Sequence, residues 1–158
     1  MQKQVVQLTQ IDLEEQNNRK SNLTRLRSVE GTSIYASKKN EVILLDYSLV
    51  NKATNNSRQV YSKVSGLNIW ESDGLGLQLE IGARGLSPSR TSNFNTRQNG
   101  YDISADVLGY PESYYTPPSE GLEEIQIIRG AASLQYGTQF GGLINFKLKK
   151  PDPYKTFS

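Results

Sequence analysis

The sequence predicts an α+β fold: a small mixed β-sheet of four to six strands, with short helices packed on it and long loops at one end. Three observations predict it. First, Leu122–Lys150 reads as strand, tight turn with a short helix, glycine hinge and strand, with Gly130, Gly137, Gly141 and Gly142 between the two strands. Four glycines in so short a span imply sharp reversals and close backbone approach. Second, Leu143–Lys149 alternates, with Ile144, Phe146 and Leu148 on one face and Leu143, Asn145, Lys147 and Lys149 on the other. Leu75–Arg84 repeats the pattern, with Leu75, Leu77, Leu79 and Ile81 sharing a face. A period of two with one apolar face marks a half-buried strand. Third, Asn55–Val64 reads as a helix that places Val60, Tyr61 and Val64 together.

Taken in order, Met1–Asn18 carries little pattern. Val5, Val6 and Leu8 suit a short strand, and Ile11–Glu15 suits the start of a helix. Arg19–Arg27 is basic and polar, a linker with a solvated face. Glu30-Gly31-Thr32-Ser33 gives a turn. Thr32–Ala36 and Glu41–Leu45 then read as two strands around the turn Ser37–Asn40, with Val42–Leu45 as core candidates. Asn56 or Ser57 can cap the helix by accepting from its orphan backbone donors. Gly66 ends it as the residue that takes positive φ. Leu67–Glu71 follows as a strand, and Trp70 is a core or rim anchor. Leu86–Arg97 is a polar loop, and Asn99-Gly100 favours a tight turn with positive φ. Ala105–Pro118 is a second long loop, with Tyr110, Tyr114 and Tyr115 among three prolines. Two ordered loops of this length in a small domain usually carry function.

At 158 residues the chain has the length of one domain. Its net charge of +2 makes no case for nucleic acid or an anionic membrane surface as partner. With no cysteine there is no disulfide framework or thiolate metal site, and with no histidine the usual general base and zinc ligand are missing. Glu123 and Glu124 are strand neighbours, so their carboxylates point to opposite faces and cannot act as a dyad. RGAASLQYG lacks the spacing of a phosphate-binding loop, and the carboxylates are too scattered for a metal site. The chain reads as a protein without catalysis, cofactor or metal. No apolar run is long enough for a transmembrane helix. MQKQVVQLTQ lacks the basic and apolar regions of a secretory signal.

The stretch IIRGAASLQYGTQFGGLINFKLKKP resembles the closing signature of the plug domain of TonB-dependent outer-membrane receptors. The family pattern is roughly E-V-x-R-G-P-x-S-x-x-Y-G-x-x-x-x-G-G-x-I-N. Arg129, Gly130, Ser133, Tyr136, Gly137, Gly141, Gly142, Ile144 and Asn145 match it in order and spacing, while Ala131 stands where many members have Pro. That many matches at fixed spacing are specific. SLQYGTQFGG, GYPESYYTPP and IYASKKNEVI are most similar to ferric dicitrate transporter-like receptors of Bacteroidetes type. Departures are Ser65 before Gly66 where the family has Pro, Ile81-Gly82-Ala83-Arg84-Gly85 in place of I-R-G, and Asn99 in place of Asp.

The resemblance implies an organisation. Residues 1–30 are an N-terminal extension with a TonB box, 31–151 the plug, and 152–158 the start of a link to a β-barrel. The TonB box candidate is Val5, Val6, Gln7, Leu8 and Thr9, because strand addition to a partner needs extended, β-branched sequence. A plain disordered or strand-forming N-terminus is the alternative. Arg84 and Arg129 are the arginines that pair with barrel glutamates in the family; pairing inside the domain with Glu80, Glu123 or Glu124 is the alternative. Guanidinium suits either role, being the cation of choice for a buried carboxylate. The two long loops are the apical loops that floor the substrate site. There Arg90, Asn93, Asn95, Arg97 and Gln98 supply donors for an anionic ferric chelate such as ferric citrate, and Tyr110, Tyr114 and Tyr115 a second wall, unless these residues only solvate and pack the loops. Vitamin, metal or glycan cargoes are further options. The implied partners are the protein's own C-terminal β-barrel, the TonB energy-transducing protein and the chelate, and the implied location is the outer membrane of a Gram-negative envelope, facing the periplasm. A complete receptor needs an export signal and a long barrel, so the resemblance implies a piece of a longer protein. The competing reading is a stand-alone periplasmic binding or interaction module with a plug-like fold.

Overall fold

Two seven-residue strands, β9 (Leu122–Ile128) and β10 (Gly142–Leu148), form the middle of the main sheet. The computed structural model describes residues 23–36, 39–45, 56–61, 63–71, 78–105, 112–137 and 140–151. The elements before the central pair are β1 (Leu23–Thr24), β2 (Val29–Glu30), β3 (Ser33–Ile34), β4 (Asn40–Leu44), helix α1 (Ser57–Tyr61), β5 (Leu67–Glu71), β6 (Leu79–Ala83), β7 (Phe94–Gln98) and β8 (Tyr101–Asp102). Short 3-10 turns lie at Ser89–Thr91, Ser119–Gly121 and Gly130–Tyr136.

The main sheet has six strands in the order β1-β4-β9-β10-β7-β8. It is mixed: β10 runs antiparallel to β9 and parallel to β7. β2–β3 and β5–β6 are separate antiparallel pairs. This is the expected α+β class with a small mixed sheet.

Register assigns the faces. Ile43 lies opposite Ile125, Ile127 opposite Ile144, and Ile144 opposite Thr96. Their face, with Leu45, Phe94, Leu122 and Phe146, packs against Val60, Tyr61 and Val64 from α1 and its exit turn and against Leu79, Ile81 and Ala83 of β6. The helical face expected from Val60, Tyr61 and Val64 is therefore the one buried. Asn56 Oδ1 accepts from Gln59 N at 3.2 Å, the expected N-cap, and Gly66 has φ +76°. Asn99 and Gly100 both have positive φ, 51° and 84°, as a tight hairpin turn between β7 and β8 requires.

The second face is polar. Tyr35, Ile128 and Leu143 form a small apolar cluster there. Beside it Asn145 Nδ2 donates to Gln126 Oε1 at 2.8 Å, and Asn145 Oδ1 accepts from Gly100 N at 2.8 Å. Gln126 Nε2 donates to Glu124 Oε1 at 2.7 Å. These amides are buried but paired, which removes the desolvation cost of burying them.

Five expectations need correction. β3 pairs with β2 across Gly31-Thr32, not with β4, and β4 sits between β1 and β9. Asn40 belongs to that strand rather than to a turn, and its Oδ1 accepts from Leu26 N at 2.8 Å. Leu23-Thr24, assigned to a linker, is the edge strand β1. The loop Leu86–Arg97 contains most of β7, a strand of the main sheet with Phe94, Asn95 and Thr96 buried. Finally, β10 is buried on both faces from Gly142 to Phe146 rather than half-buried. Of the Leu75–Arg84 strand, Leu79–Ala83 is observed, and Leu75 and Leu77 lie outside the described residues, as do residues 1–22.

Candidate functional site

Two arginine-glycine turns meet at one corner. β5 and β6 pair so that Leu67 faces Ala83, which brings Ser65-Gly66 close to Arg84-Gly85. Arg129 follows β9 directly, and only 6% of it is exposed. Its Nη2 donates to Glu41 Oε2, and its Nη1 donates to Ser65 O at 2.7 Å. Among the described residues its Nε has no partner. The internal partner is thus Glu41, not Glu80, Glu123 or Glu124. Arg129 ties β9 to β4 and to the turn after α1.

Arg84 stands differently. It has φ +60° and is exposed. Its guanidinium lies over Gly130, where an added Cβ would come within 3.3 Å of Nη2, and its Nη1 donates to Phe140 O at 3.3 Å. No carboxylate of the described residues pairs with it. One arginine of the pair is therefore ion-paired inside the domain, and the other is presented at the surface.

The two long loops also meet. Ser113 N donates to Arg90 O at 2.9 Å, and Arg90 Nη1 lies 3.4 Å from Glu112 Oε1. The Tyr114 hydroxyl donates to the other Glu112 oxygen. That bond, with Arg90 behind it, holds the Glu112 carboxyl below its usual range. The Arg90 side chain is 61% exposed, and Tyr114 and Tyr115 are exposed beside it. Asn93 is partly buried, and its carbonyl accepts from Gly141 N at 2.7 Å. Tyr110 lies outside the described residues, as does the Val5–Thr9 segment.

Two buried threonines that the sequence reading did not single out anchor these loops. Thr91 Oγ1 donates to Leu79 O at 3.0 Å and accepts from Ile81 N at 3.1 Å. Thr116 Oγ1 accepts from Leu79 N at 3.3 Å. The free edge of β6 is thus completed by side chains from both loops, as buried backbone groups require.

Asn95, Arg97 and Gln98 lie on β7 and not in a loop. Gln98, paired with Phe146, is at the end of the strand away from Arg90. Asn95 and Arg97 occupy the polar face. Arg97 donates to Asn95 Oδ1 at 2.8 Å, to Gly100 O at 2.7 Å and to Tyr136 O at 3.0 Å. Burial alone would raise the Asp102 carboxyl. Hydrogen bonds from Ser104 and Asn95 and the charge of Arg97 outweigh it and bring that group below the usual carboxylate range. The structure thus links Arg90 and Tyr114 through Glu112 and sets Arg97 apart from them.

With this geometry in place, comparison decides the family. The family model described as TonB-dependent Receptor Plug Domain matches residues 46–143. The chain belongs to that family. No curated protein sequence matches it. Among solved structures, the plug is similar to the unliganded ferric citrate transporter FecA, at 26% identity and TM-score 0.57 over 72% of this chain and 18% of that one. It is similar to the ferric enterobactin receptor PfeA of Pseudomonas aeruginosa, at 20% identity and TM-score 0.55 over 75% of this chain and 18% of that one. It is also similar to the siderophore receptor PirA of Acinetobacter baumannii, at 20% identity and TM-score 0.50 over 93% and 19%. The chain spans about a fifth of the length of these structures.

A cluster of hydroxyls near the plug signature sets a pH limit. The Tyr136 hydroxyl bonds Ser33 Oγ at 2.6 Å and also the Tyr35 hydroxyl. Burial, then the bond with Tyr136, pushes Tyr35 up to about 12 from 10.0. A raised value favours the neutral phenol in the folded state. That contribution is complete below pH 10 and is lost as pH rises through about 12. Tyrosinate absorbance is expected to show Tyr35 ionising late, and Tyr61, pushed up by burial, later still. Tyr136→Phe should bring only the Tyr35 step down. A Tyr35 step unmoved by that change would refute the assignment.

Proposed function

We propose that this plug is the gate of an outer-membrane receptor that binds and admits a ferric chelate, with ferric citrate as the first candidate. Arg84 carries the reading: an exposed guanidinium, fixed over Gly130 beside the plug signature, with no carboxylate partner among the described residues. It supplies what a glutamate on the inner wall of a barrel would need, and guanidinium forms the strongest carboxylate pairs. Exposed Trp70, Tyr101, Leu134 and Phe140 come from four different elements and loops, which suits a body enclosed by a wall better than one that docks through a single patch. The buried amides and the abundance of Asn, Gln, Ser and Thr fit a wet boundary that holds through water and can exchange partners. Under this reading the Val5–Thr9 segment adds a strand to the TonB protein, which draws part of the plug aside.

The substrate wall is assigned to Arg90, Asn93, Tyr114 and Tyr115. In the intact receptor, calorimetry with ferric dicitrate should show Arg90→Ala raising Kd roughly tenfold or more, the loss of a hydrogen bond to a charged group. An unchanged Kd with ferric dicitrate still bound would discard this wall. No binding in either protein would discard ferric citrate as cargo.

A further inference from the structure

The β2–β3 hairpin is outside the six-stranded sheet, so side chains must hold it to the body. Three do so. Gln135 mimics a neighbouring strand: its Oε1 accepts from Ile34 N and its Nε2 donates to Ile34 O, both at 2.9 Å. Tyr136 bonds Ser33 and Tyr35 through its hydroxyl. Lys147 lies 3.3 Å from Glu30. Gln135 and Tyr136 are consecutive residues of the 3-10 turn Gly130–Tyr136.

Tyr136 is itself held from the other side. The Arg97 guanidinium sits 5.1 Å from the centroid of its ring and donates to its carbonyl. The same guanidinium donates to Gly100 O in the β7–β8 turn and to Asn95, with Asp102 at 3.9 Å. The Arg97 side chain is only 19% exposed. Its planar fork is already divided among a ring, two carbonyls, an amide and a carboxylate, and little of it is left for an incoming anion.

We infer that Arg97 is a positioning residue that couples the β7–β8 turn to the β2–β3 hairpin through Tyr136. A disturbance of the turn or of β7 moves the guanidinium, the guanidinium sets the Tyr136 ring, and the Tyr136 hydroxyl sets Ser33 and Tyr35. The inference rests on the gate reading only for what such coupling serves: the hairpin joins the edge strand β1 to β4, so its attachment bears on how readily that edge of the sheet is released.

The test needs neither cargo nor partner, so its failure is separate from failure of the transport reading. Backbone hydrogen exchange is followed on the full chain at the amides of Ile34 to Ala36, with Ile127 and Ile144 as sheet references. Tyr136→Phe removes one hydroxyl and is expected to speed hairpin exchange about tenfold, the effect of losing neutral hydrogen bonds. Arg97→Ala should do the same through Tyr136, and Arg97→Lys, which keeps the charge but not the fork, should not restore protection. The double variant Arg97→Ala with Tyr136→Phe should open the hairpin no further than either change alone, because both act on one contact. Three results overturn the inference: hairpin exchange unaltered by Arg97→Ala, effects that multiply in the double variant, or equal acceleration at the sheet references. If Arg97→Ala does not fold, Arg97→Lys carries the comparison, and wild-type protection of the hairpin in that variant overturns the coupling.

Discussion

Replacing Arg129 by alanine is expected to destabilise the isolated chain by about 3–5 kcal/mol, a large part of the stability of a domain this size. The change removes both donors of a buried guanidinium at once. Glu41 is left as a largely enclosed carboxylate without its cation, and Ser65 O loses its donor. An uncompensated charge in such a place costs more than the pair itself contributes. Arg84→Ala is the paired comparison. Its guanidinium is exposed and makes one long bond to Phe140 O, so the isolated chain should lose no more than about 0.5 kcal/mol. Urea unfolding of the three proteins measures both. Equal losses would mean that the two arginines share one task, and the division into an internal tie and a surface contact would fall.

Gly141→Ala is the second large effect, expected at about 3 kcal/mol. A Cβ at Gly141 would lie 2.4 Å from Asn93 O and 2.7 Å from the Phe94 ring. The first obstacle is backbone and cannot rotate away. The Gly141 N to Asn93 O bond sits where β7 enters its parallel pairing with β10. The added methyl therefore forces apart the start of the parallel pair β7–β10. Hydrogen exchange should show the loss concentrated in residues 94–98 and 142–146, and urea unfolding gives its size. A variant with wild-type stability would show that the Asn93–Gly141 contact yields without cost.

What could be read from the residues followed local chemistry. Asn99-Gly100 announces a positive-φ turn whatever surrounds it. Asn56 and Gly66 bracket α1 by rules internal to a helix, and the alternation of Leu143–Lys149, with the glycines before it, marks a strand and the reversal that leads into it. β7 could not be read this way. Phe94-Asn95-Thr96-Arg97-Gln98 has one apolar side chain, and its burial depends on partners distant in the chain: Asn95 and Arg97 bond Asp102 and Tyr136, and its backbone is completed by β10. The partner of β3 was hidden for a similar reason. Val29-Glu30 is too short to show a period, and both apolar residues of that hairpin, Val29 and Ile34, are exposed.

At the candidate site the motif located Arg84 and Arg129, but not the difference between them. That difference is made by Glu41, a strand residue with no local sign of pairing. Arg90 and Arg97, which look equivalent in a polar stretch, are separated by the length of β7 and by a turn of backbone at Arg90 and Thr91, both at positive φ. Thr91 and Thr116 resemble solvent-facing loop residues until the free edge of β6 is seen to need them.

The order of the main sheet bears on how this chain is made. Among its described strands the two middle ones are the last to be synthesised, and the earlier ones flank them. A nascent chain lacking residues 122–148 has edges with no centre, and its long-range pairings must wait for the end of the domain. The sheet therefore closes late, and a fragment that ends before Leu122 is expected to stay unfolded.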